Sequence, residues 1–196
     1  MTTLTRDEYE ARLRGLKLLA TDVDGVLTDG SIAYTGGDAE TKIFNVRDGS
    51  AVYIARAIGL PVLVVTARGS QAVARRFSEL PVLGLCQNTF DKVTACVEAE
   101  AGLGIGPDES LFLGDDLVDL PAIRRAGLGV AVADAHPRVL AEADWILTTR
   151  GGRGALRELV DDVVEARGLW DEVLADYETR QAQKSSPASE PDASAE

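Results

Sequence analysis

The sequence is poor in several residue types that mark whole classes of protein. Its two cysteines, Cys86 and Cys96, form no metal-binding or redox motif, and we interpret them as reduced core residues of a cytosolic protein. Its one histidine, His136, is interpreted as a capped or packed residue rather than a ligand. No apolar run reaches membrane-spanning length, and residues 1–17 lack the apolar stretch of a secretory signal. We therefore expect a cytoplasmic protein with no membrane partner.

Basic residues are also scarce. The 20 lysines and arginines face 32 aspartates and glutamates, so the net charge is −12 and the pI about 4.6. This balance argues against a surface that follows the phosphates of a nucleic acid. An anionic substrate would need local basic residues and a cation to be held.

Apolar segments of strand length alternate with helical segments along most of the chain. The predicted strands span residues 16–22, 60–66, 81–85, 110–114, 129–133 and 145–147. The predicted helices span residues 51–58, 70–80, 91–101, 120–126, 155–167 and 169–180, with Asp48 as N-cap of the first. This alternation predicts an α/β fold with a doubly wound, Rossmann-like parallel sheet.

The domain organisation is predicted to be simple. Residues 1–168 form one domain, residues 169–183 a C-terminal helix, and the Ser-, Pro- and Ala-rich residues 184–196 a disordered tail. Residues 31–44 are expected to form a small hairpin flap around the Gly36-Gly37 turn.

Polar side chains follow three of the predicted strands, namely Asp22, Thr66 and Asp115. In parallel sheets, ligands bind beyond the carboxyl ends of the strands. Asp24 adds a second carboxylate two residues after Asp22, and Lys92 lies near a helix start. Two acids at this spacing alone would indicate an ordinary acidic turn. Carboxylates, a hydroxyl and an ammonium together are what phosphoryl transfer to an aspartate requires.

Several segments carry a resemblance to known enzymes. Four segments of the chain are similar to the motifs of haloacid dehalogenase phosphatases: TDVDGVLTDG (21–30), VVTAR (64–68), DK (91–92) and GDDLVDLP (114–121). Three further segments resemble the 3-deoxy-D-manno-octulosonate 8-phosphate phosphatase family: FNVRDG (44–49), GVAVADAHP (129–137) and RGGRGALRE (150–158). The resemblance spans roughly residues 16–168 and implies a haloacid dehalogenase fold without a cap domain.

The resemblance implies a role for each matching position. Asp22 would be the nucleophile that becomes an aspartyl phosphate, and Asp24 the general acid and then the general base. Thr66 would bind phosphate oxygens, and Lys92 would offset negative charge on the phosphoryl group and Asp22.

A magnesium ion is implied by the same resemblance. Its ligands would be the Asp22 carboxylate, the backbone carbonyl of Asp24 and the Asp115 carboxylate. Asp116 and Asp119 would orient Asp115 or a water on the metal.

The implied substrate is a small sugar-acid phosphate, whose carboxylate needs a basic partner. Arg47 and Arg68 are the main candidates and Arg76 a further one. The positions that contact substrate in the resembling family correspond here to Asp24, Asn45, Val46, Arg47, Asp48, Gly49, Arg68, Arg76 and Lys92. Ala67 and Tyr53 depart from the family pattern, which usually has Gly and often Arg at these positions.

The absence of a cap insert leaves the predicted site open to water. The resembling family assembles as a homotetramer, so the hairpin flap is either an interface element or an exposed hairpin. The Arg150–Gly154 segment either brings Arg153 to the substrate or serves only as a helix lead-in.

The sequence thus favours a phosphatase that releases 3-deoxy-D-manno-octulosonate from its 8-phosphate. A nine-carbon sialic-acid-type 9-phosphate is the neighbouring alternative, and Arg68 favours the eight-carbon acid. A receiver-like phosphoacceptor switch would gain nothing from an acid–base group such as Asp24, and an idle oligomerisation module would not need all four motifs.

Overall fold

The computed structural model describes residues 4–34 and 40–185. Its main sheet has six parallel strands in the order β5-β4-β1-β6-β7-β8, and a separate antiparallel pair joins β2 to β3. The strands are β1 (Leu18–Thr21), β2 (Ala33–Tyr34), β3 (Glu40–Thr41), β4 (Val62–Val65), β5 (Gly84–Cys86), β6 (Ser110–Gly114), β7 (Leu128–Ala131) and β8 (Trp145–Ile146). The predicted parallel α/β fold is confirmed.

Eight α-helices accompany the strands within the described residues. They are α1 (Arg6–Gly15), α2 (Val46–Ala57), α3 (Gln71–Ser78), α4 (Lys92–Leu103), α5 (Leu120–Arg125), α6 (Pro137–Glu142), α7 (Ala155–Arg167) and α8 (Trp170–Ser185). One group packs α1 and α2 against α7, and another packs α5 against α4 and α6. Every residue of β1, β4, β6 and β7 is buried, because helices cover the sheet on both faces.

The predicted start of α2, which is the helix predicted over residues 51–58, is wrong. Asn45, not Asp48, is the N-cap of α2, and its side chain accepts a hydrogen bond from the Arg47 amide. Asparagine caps as well as aspartate does, so the first capping residue after the hairpin begins the helix. Asp48 then falls in the first turn, where its side chain is buried.

Three other elements differ from the sequence-based expectation. Helix α6 was not predicted. His136 is its N-cap and accepts a hydrogen bond from the Arg138 amide, which agrees with the interpretation of His136 as a capped or packed residue. Strand β5 begins at Gly84 rather than at residue 81. Helix α8 reaches Ser185, so it overruns the predicted start of the tail.

Two predictions fall outside the described residues, namely the Gly36-Gly37 turn and the rest of the tail, residues 186–196. None of the helices in the described parts of the chain combines the length and the apolar character needed to span a bilayer.

Candidate active site

The carboxyl edge of the sheet brings Asp22 and Asp115 together. Strands β1 and β6 are neighbours in register, with Thr21 opposite Leu113, and the Asp22 amide donates to the Leu113 carbonyl at 3.0 Å. Each strand therefore delivers the aspartate that follows it to the same place. Asp22, Asp115 and Asp119 each offer a carboxylate oxygen, and the three oxygens lie within 4.8 Å of one another.

Lys92 is the cation among these acids. It is the first residue of α4, and its side chain is buried. Its Nζ lies 2.7 Å from Oδ1 of Asp22 and 2.5 Å from Oδ1 of Asp119. We call Asp22, Lys92, Asp115 and Asp119 the acidic centre.

Asp119 uses both oxygens within the protein. Oδ1 pairs with Lys92, and Oδ2 accepts the backbone N–H groups of Asp115 at 2.9 Å and Asp116 at 3.2 Å. Asp119 therefore fixes the loop that carries Asp115. Asp116 is exposed, and its carboxylate accepts from the Leu117 amide.

The acidic centre carries more negative charge than Lys92 offsets. Burial first, and then repulsion by Asp119, raise the pKa of Asp22 to about 7. Burial, Asp119 and Asp22 raise the pKa of Asp115 to about 8. Burial lowers the pKa of Lys92, but Asp119 and Asp22 outweigh it, so the net shift is upward.

This charge distribution fits a hard divalent cation. Oδ1 of Asp115 is buried and has no hydrogen-bond partner among the described residues, which is costly for a carboxylate oxygen. Because both oxygens of Asp119 are engaged, Asp22 and Asp115 are the members of the acidic centre that can each offer a carboxylate oxygen to a metal. Carboxylate oxygens are the ligands that Mg²⁺ prefers.

Gly25 makes room for Asp115. Its φ is +95°, and a Cβ at this position would overlap the Asp115 carboxylate. The loop is closed from the other side by the glycine-rich segment before α7, since a Cβ at Gly151 would overlap the Gly25 carbonyl. The Gly152 amide donates to the Val26 carbonyl at 2.8 Å. This segment therefore packs against the loop that follows Asp22, while Arg153 is exposed.

Asp24 faces the hairpin. Its Oδ1 pairs with Nζ of Lys42, whose side chain has no exposed surface. Lys42 Nζ also lies 3.9 Å from Oε1 of Glu40, and Oε2 of Glu40 accepts from Arg68 at 3.3 Å. We call Asp24, Glu40, Lys42 and Arg68 the hairpin rim.

Sequence reasoning missed Glu40 and Lys42. Their spacing of two residues places both side chains on one face of a strand, and this is the signal that the sequence offered. It could not show that this face turns toward Asp24. A hydrogen bond from Ser70 lowers the pKa of Glu40 against the effect of burial, and the charges of Lys42 and Arg68 lower it further.

Thr66 lies at the same edge of the sheet as the acidic centre, directly after β4. It is buried, its amide donates to the Cys86 carbonyl at 2.8 Å, and its hydroxyl oxygen accepts from the Arg68 amide at 3.3 Å. Arg68 pairs with Glu40, and Glu40 first and Asp24 more weakly raise its pKa. Thr66 and Arg68 therefore form one turn between the acidic centre and the hairpin.

The predicted substrate positions at the start of α2 point in different directions. Val46 and Arg47 are exposed, whereas Asp48 and Gly49 are buried. Oδ1 of Asp48 accepts from the Arg157 amide at the start of α7, at 3.0 Å. Its Oδ2 is buried without a partner among the described residues, and burial raises the pKa of Asp48 to about 6.

Arg76 is packed over the same turn of α2, so tightly that a Cβ on Gly49 would overlap its guanidinium. The Asn45 and Arg47 side chains lie close to Gly154, at the lead-in to α7. The predicted contact residues on α2 and α3 thus form one cluster with the glycine-rich segment, beside the acidic centre rather than within it.

Comparison with known proteins gives a consistent result. Residues 65–159 match the family model of haloacid dehalogenase-like hydrolases. The 3-deoxy-D-manno-octulosonate 8-phosphate phosphatase of Escherichia coli strain K12 is 40% identical over 162 residues, which cover 83% of this chain and 86% of that protein. The Yersinia pestis phosphatase of the same name is 38% identical over 161 residues, covering 82% of this chain and 86% of the relative.

Solved structures are similar as well. The 3-deoxy-D-manno-octulosonate 8-phosphate phosphatase of Moraxella catarrhalis, in complex with a magnesium ion, a phosphate ion and the sugar acid KDO, superposes with a TM-score of 0.83 at 37% identity. The match covers 87% of this chain and 98% of that one. The cobalt-bound Haemophilus influenzae phosphatase gives a TM-score of 0.76 at 38% identity, covering 80% and 92% of the two chains.

Proposed function

The chain belongs to the 3-deoxy-D-manno-octulosonate 8-phosphate phosphatase family of haloacid dehalogenase-like hydrolases, and from this premise we propose that it hydrolyses that sugar phosphate to the free sugar acid and phosphate. The observation that carries the proposal is the acidic centre. A buried aspartate, an ammonium and a second carboxylate share the carboxyl edge of the sheet, beside the carboxylate of Asp24.

Asp22 is the nucleophile. One of its oxygens forms a bond to phosphorus as the bond from phosphorus to the ester oxygen breaks. Asp24 gives its proton to the departing sugar oxygen and then takes a proton from the water that hydrolyses the aspartyl phosphate. Lys92 contacts Asp22 directly and holds it in place while offsetting phosphoryl charge. The Thr66 hydroxyl binds a phosphate oxygen.

The cofactor is magnesium, and the carboxylates of Asp22 and Asp115 and the backbone carbonyl of Asp24 would hold it. When bound, Mg²⁺ neutralises the repulsion between the Asp22 carboxylate and the phosphate dianion. The free, buried oxygen of Asp115 and the raised pKa values of Asp22 and Asp115 support this assignment. Asp119 positions Asp115 by accepting its backbone amide.

The sugar acid is recognised at the hairpin rim and along α2. Arg68 lines a cavity of about 450 Å³ with Tyr34, Glu40 and the start of α3, which supports a role in binding the remote carboxylate. Arg76 and the 45–49 segment, which includes Arg47, complete the contacts. Within this segment, the backbone and the exposed side chains contribute more than the buried Asp48.

The enzyme acts as a homotetramer in which the hairpin contacts a neighbouring subunit. Three large apolar side chains on and after the hairpin support this: Tyr34, Ile43 and Val46 are 72%, 78% and 76% exposed. Sedimentation analysis tests the assembly, and a monomer at micromolar concentration would contradict it.

A substrate panel tests the activity. Phosphate release should be fastest with 3-deoxy-D-manno-octulosonate 8-phosphate, slower with a nine-carbon sialic-acid-type 9-phosphate, and should stop in excess chelator. Equal rates on the two sugar acids would remove the argument from Arg68. A phosphoenzyme that forms once and does not turn over would indicate a phosphoacceptor switch instead.

A further inference from the structure

Lys42 is a buried cation that takes no part in the proposed reaction steps. Its side chain has no exposed surface, and its ammonium contacts Oδ1 of Asp24. Burying an ammonium is costly unless it is paired, so the ion pair holds both side chains in one arrangement. Lys42 directly follows β3, so this arrangement depends on where the hairpin sits.

The pairing leaves the two oxygens of Asp24 in different surroundings. Oδ1 is engaged by Lys42, whereas Oδ2 is buried and has no hydrogen-bond partner among the described residues. A carboxyl group that transfers a proton must present one oxygen at a fixed position. With Oδ1 held by Lys42, Oδ2 is the oxygen left without a protein partner among the described residues.

The contact continues to the residue proposed to bind the sugar-acid carboxylate. Glu40 lies on β3 two residues before Lys42, with its carboxylate 3.9 Å from the Lys42 ammonium, and accepts a hydrogen bond from Arg68. Charges of alternating sign therefore connect Asp24 to Arg68 through two hairpin residues.

We propose that Lys42 is a positioning residue that fixes Asp24 so that Oδ2 transfers the proton to the departing sugar oxygen, with Glu40 tying this arrangement to Arg68. The inference rests on the proposed phosphatase function. If Lys42 has this role, the hairpin contributes a residue to the reacting site and also covers it. A purely structural ion pair would predict that Lys42 affects every substrate alike.

Leaving-group chemistry separates these two roles. An alkyl oxygen must be protonated as it departs, whereas p-nitrophenolate departs without a proton. The experiment compares Lys42→Met with wild type in single turnovers, so that only phosphoryl transfer to Asp22 is measured. The two substrates are 3-deoxy-D-manno-octulosonate 8-phosphate and p-nitrophenyl phosphate. Lys17→Met is the control, because Lys17 is exposed and pairs with Glu109 before β6, at the far edge of the sheet.

We expect Lys42→Met to slow transfer from the sugar phosphate by ~10²-fold and transfer from p-nitrophenyl phosphate by less than about threefold. Steady-state KM for the sugar phosphate should change little compared with kcat. An equal loss on both substrates, or no loss on either, would overturn the proposal. If Lys42→Met shows no cooperative melting transition, Lys42→Leu, which likewise has no donor for Oδ1 of Asp24, gives the same comparison.

The same data keep the two proposals apart. A wild-type enzyme that hydrolyses p-nitrophenyl phosphate but not the sugar-acid phosphate would refute the proposed substrate. The Lys42 ratio would then be measured on whichever alkyl phosphate the wild type accepts, and a selective loss there would still support the positioning role.

Discussion

The acidic centre and the hairpin rim use the same kinds of side chain but are assembled differently. Asp22, Lys92 and Asp115 each lie at the end of a main-sheet strand or the start of a helix, so the parallel register alone brings them together. Glu40 lies on the short strand β3 outside the main sheet, and Lys42 directly follows it. They reach Asp24 and Arg68 only because the hairpin docks there. The fold thus determines the centre, whereas hairpin docking determines the rim.

The largest expected effect is the loss of turnover when Asp22 is replaced. If turnover were retained, the acidic centre would not be the reacting site. Asp22→Asn should lower turnover by at least ~10⁴-fold, because the amide is a poor nucleophile toward phosphorus. The fold should be retained, since one of several crowded negative charges is removed. Phosphate release and thermal melting measure the two quantities.

Asp108→Asn is the matched control for this change. Asp108 is an exposed aspartate just before β6, at the opposite edge of the sheet. It should leave turnover unchanged. Turnover by Asp22→Asn within a hundredfold of wild type would contradict the assignment of the nucleophile.

The next largest effect is a loss of stability when Asp119 is replaced. It tests whether contacts within the main fold hold the acidic centre in place. Asp119→Ala removes the acceptor of the Lys92 ammonium and of the Asp115 and Asp116 amides. The free energy of unfolding should fall by about 2–4 kcal/mol, measured by urea denaturation without added magnesium.

Asp119→Asn separates the two contributions, because its carbonyl oxygen can still accept the backbone amides. It should lose about 1–2 kcal/mol less than the alanine variant. Equal losses in both variants would mean that the amide bonds contribute nothing and that the ion pair alone holds the loop.

A smaller and more local effect is expected at Gly25. Gly25→Ala places a Cβ on the Asp115 carboxylate and should weaken magnesium binding by ~10–100-fold, as measured by activity against magnesium concentration. Gly59 has a similar left-handed φ of +69°, but a Cβ added there would meet no neighbouring atom within 4 Å. Gly59→Ala should therefore cost about 1–2 kcal/mol of stability and leave magnesium dependence unchanged. The same magnesium dependence in both variants would contradict the role of Gly25.

The sequence predicted most of the centre and little of the rim, for a physical reason. Strand-end aspartates can be found because apolar runs identify buried parallel strands and the carboxyl ends of such strands meet at one edge. Gly25 could be recognised as permissive, but its neighbour Asp115 is ninety residues away, and no local pattern identifies it. Lys42 could not be assigned for the same reason.

Asp48 illustrates how a local rule fails when a tertiary contact competes with it. An aspartate near a helix start is a favourable N-cap, yet Asn45 takes that role and Asp48 turns to the α7 backbone. The local pattern therefore correctly identified Asp48 as a side chain that binds a helix N-terminus, but it assigned Asp48 to α2 instead of α7.

The smallest expected effect is at Asp48, behind the rim, where a buried carboxylate has a helix N-terminus as partner instead of an ammonium. Because its folded pKa of about 6 lies above the unfolded value, the folded state binds the proton more tightly. Wild-type stability should therefore fall by about 1–3 kcal/mol as pH rises from about 4 to about 6 through this group. Asp48→Asn, whose carbonyl can still accept the Arg157 amide, should lose that fall, so its stability relative to wild type should increase over this window in urea denaturation at each pH. A difference that stays constant with pH would mean that the positive end of α7 fully offsets the burial of the charge.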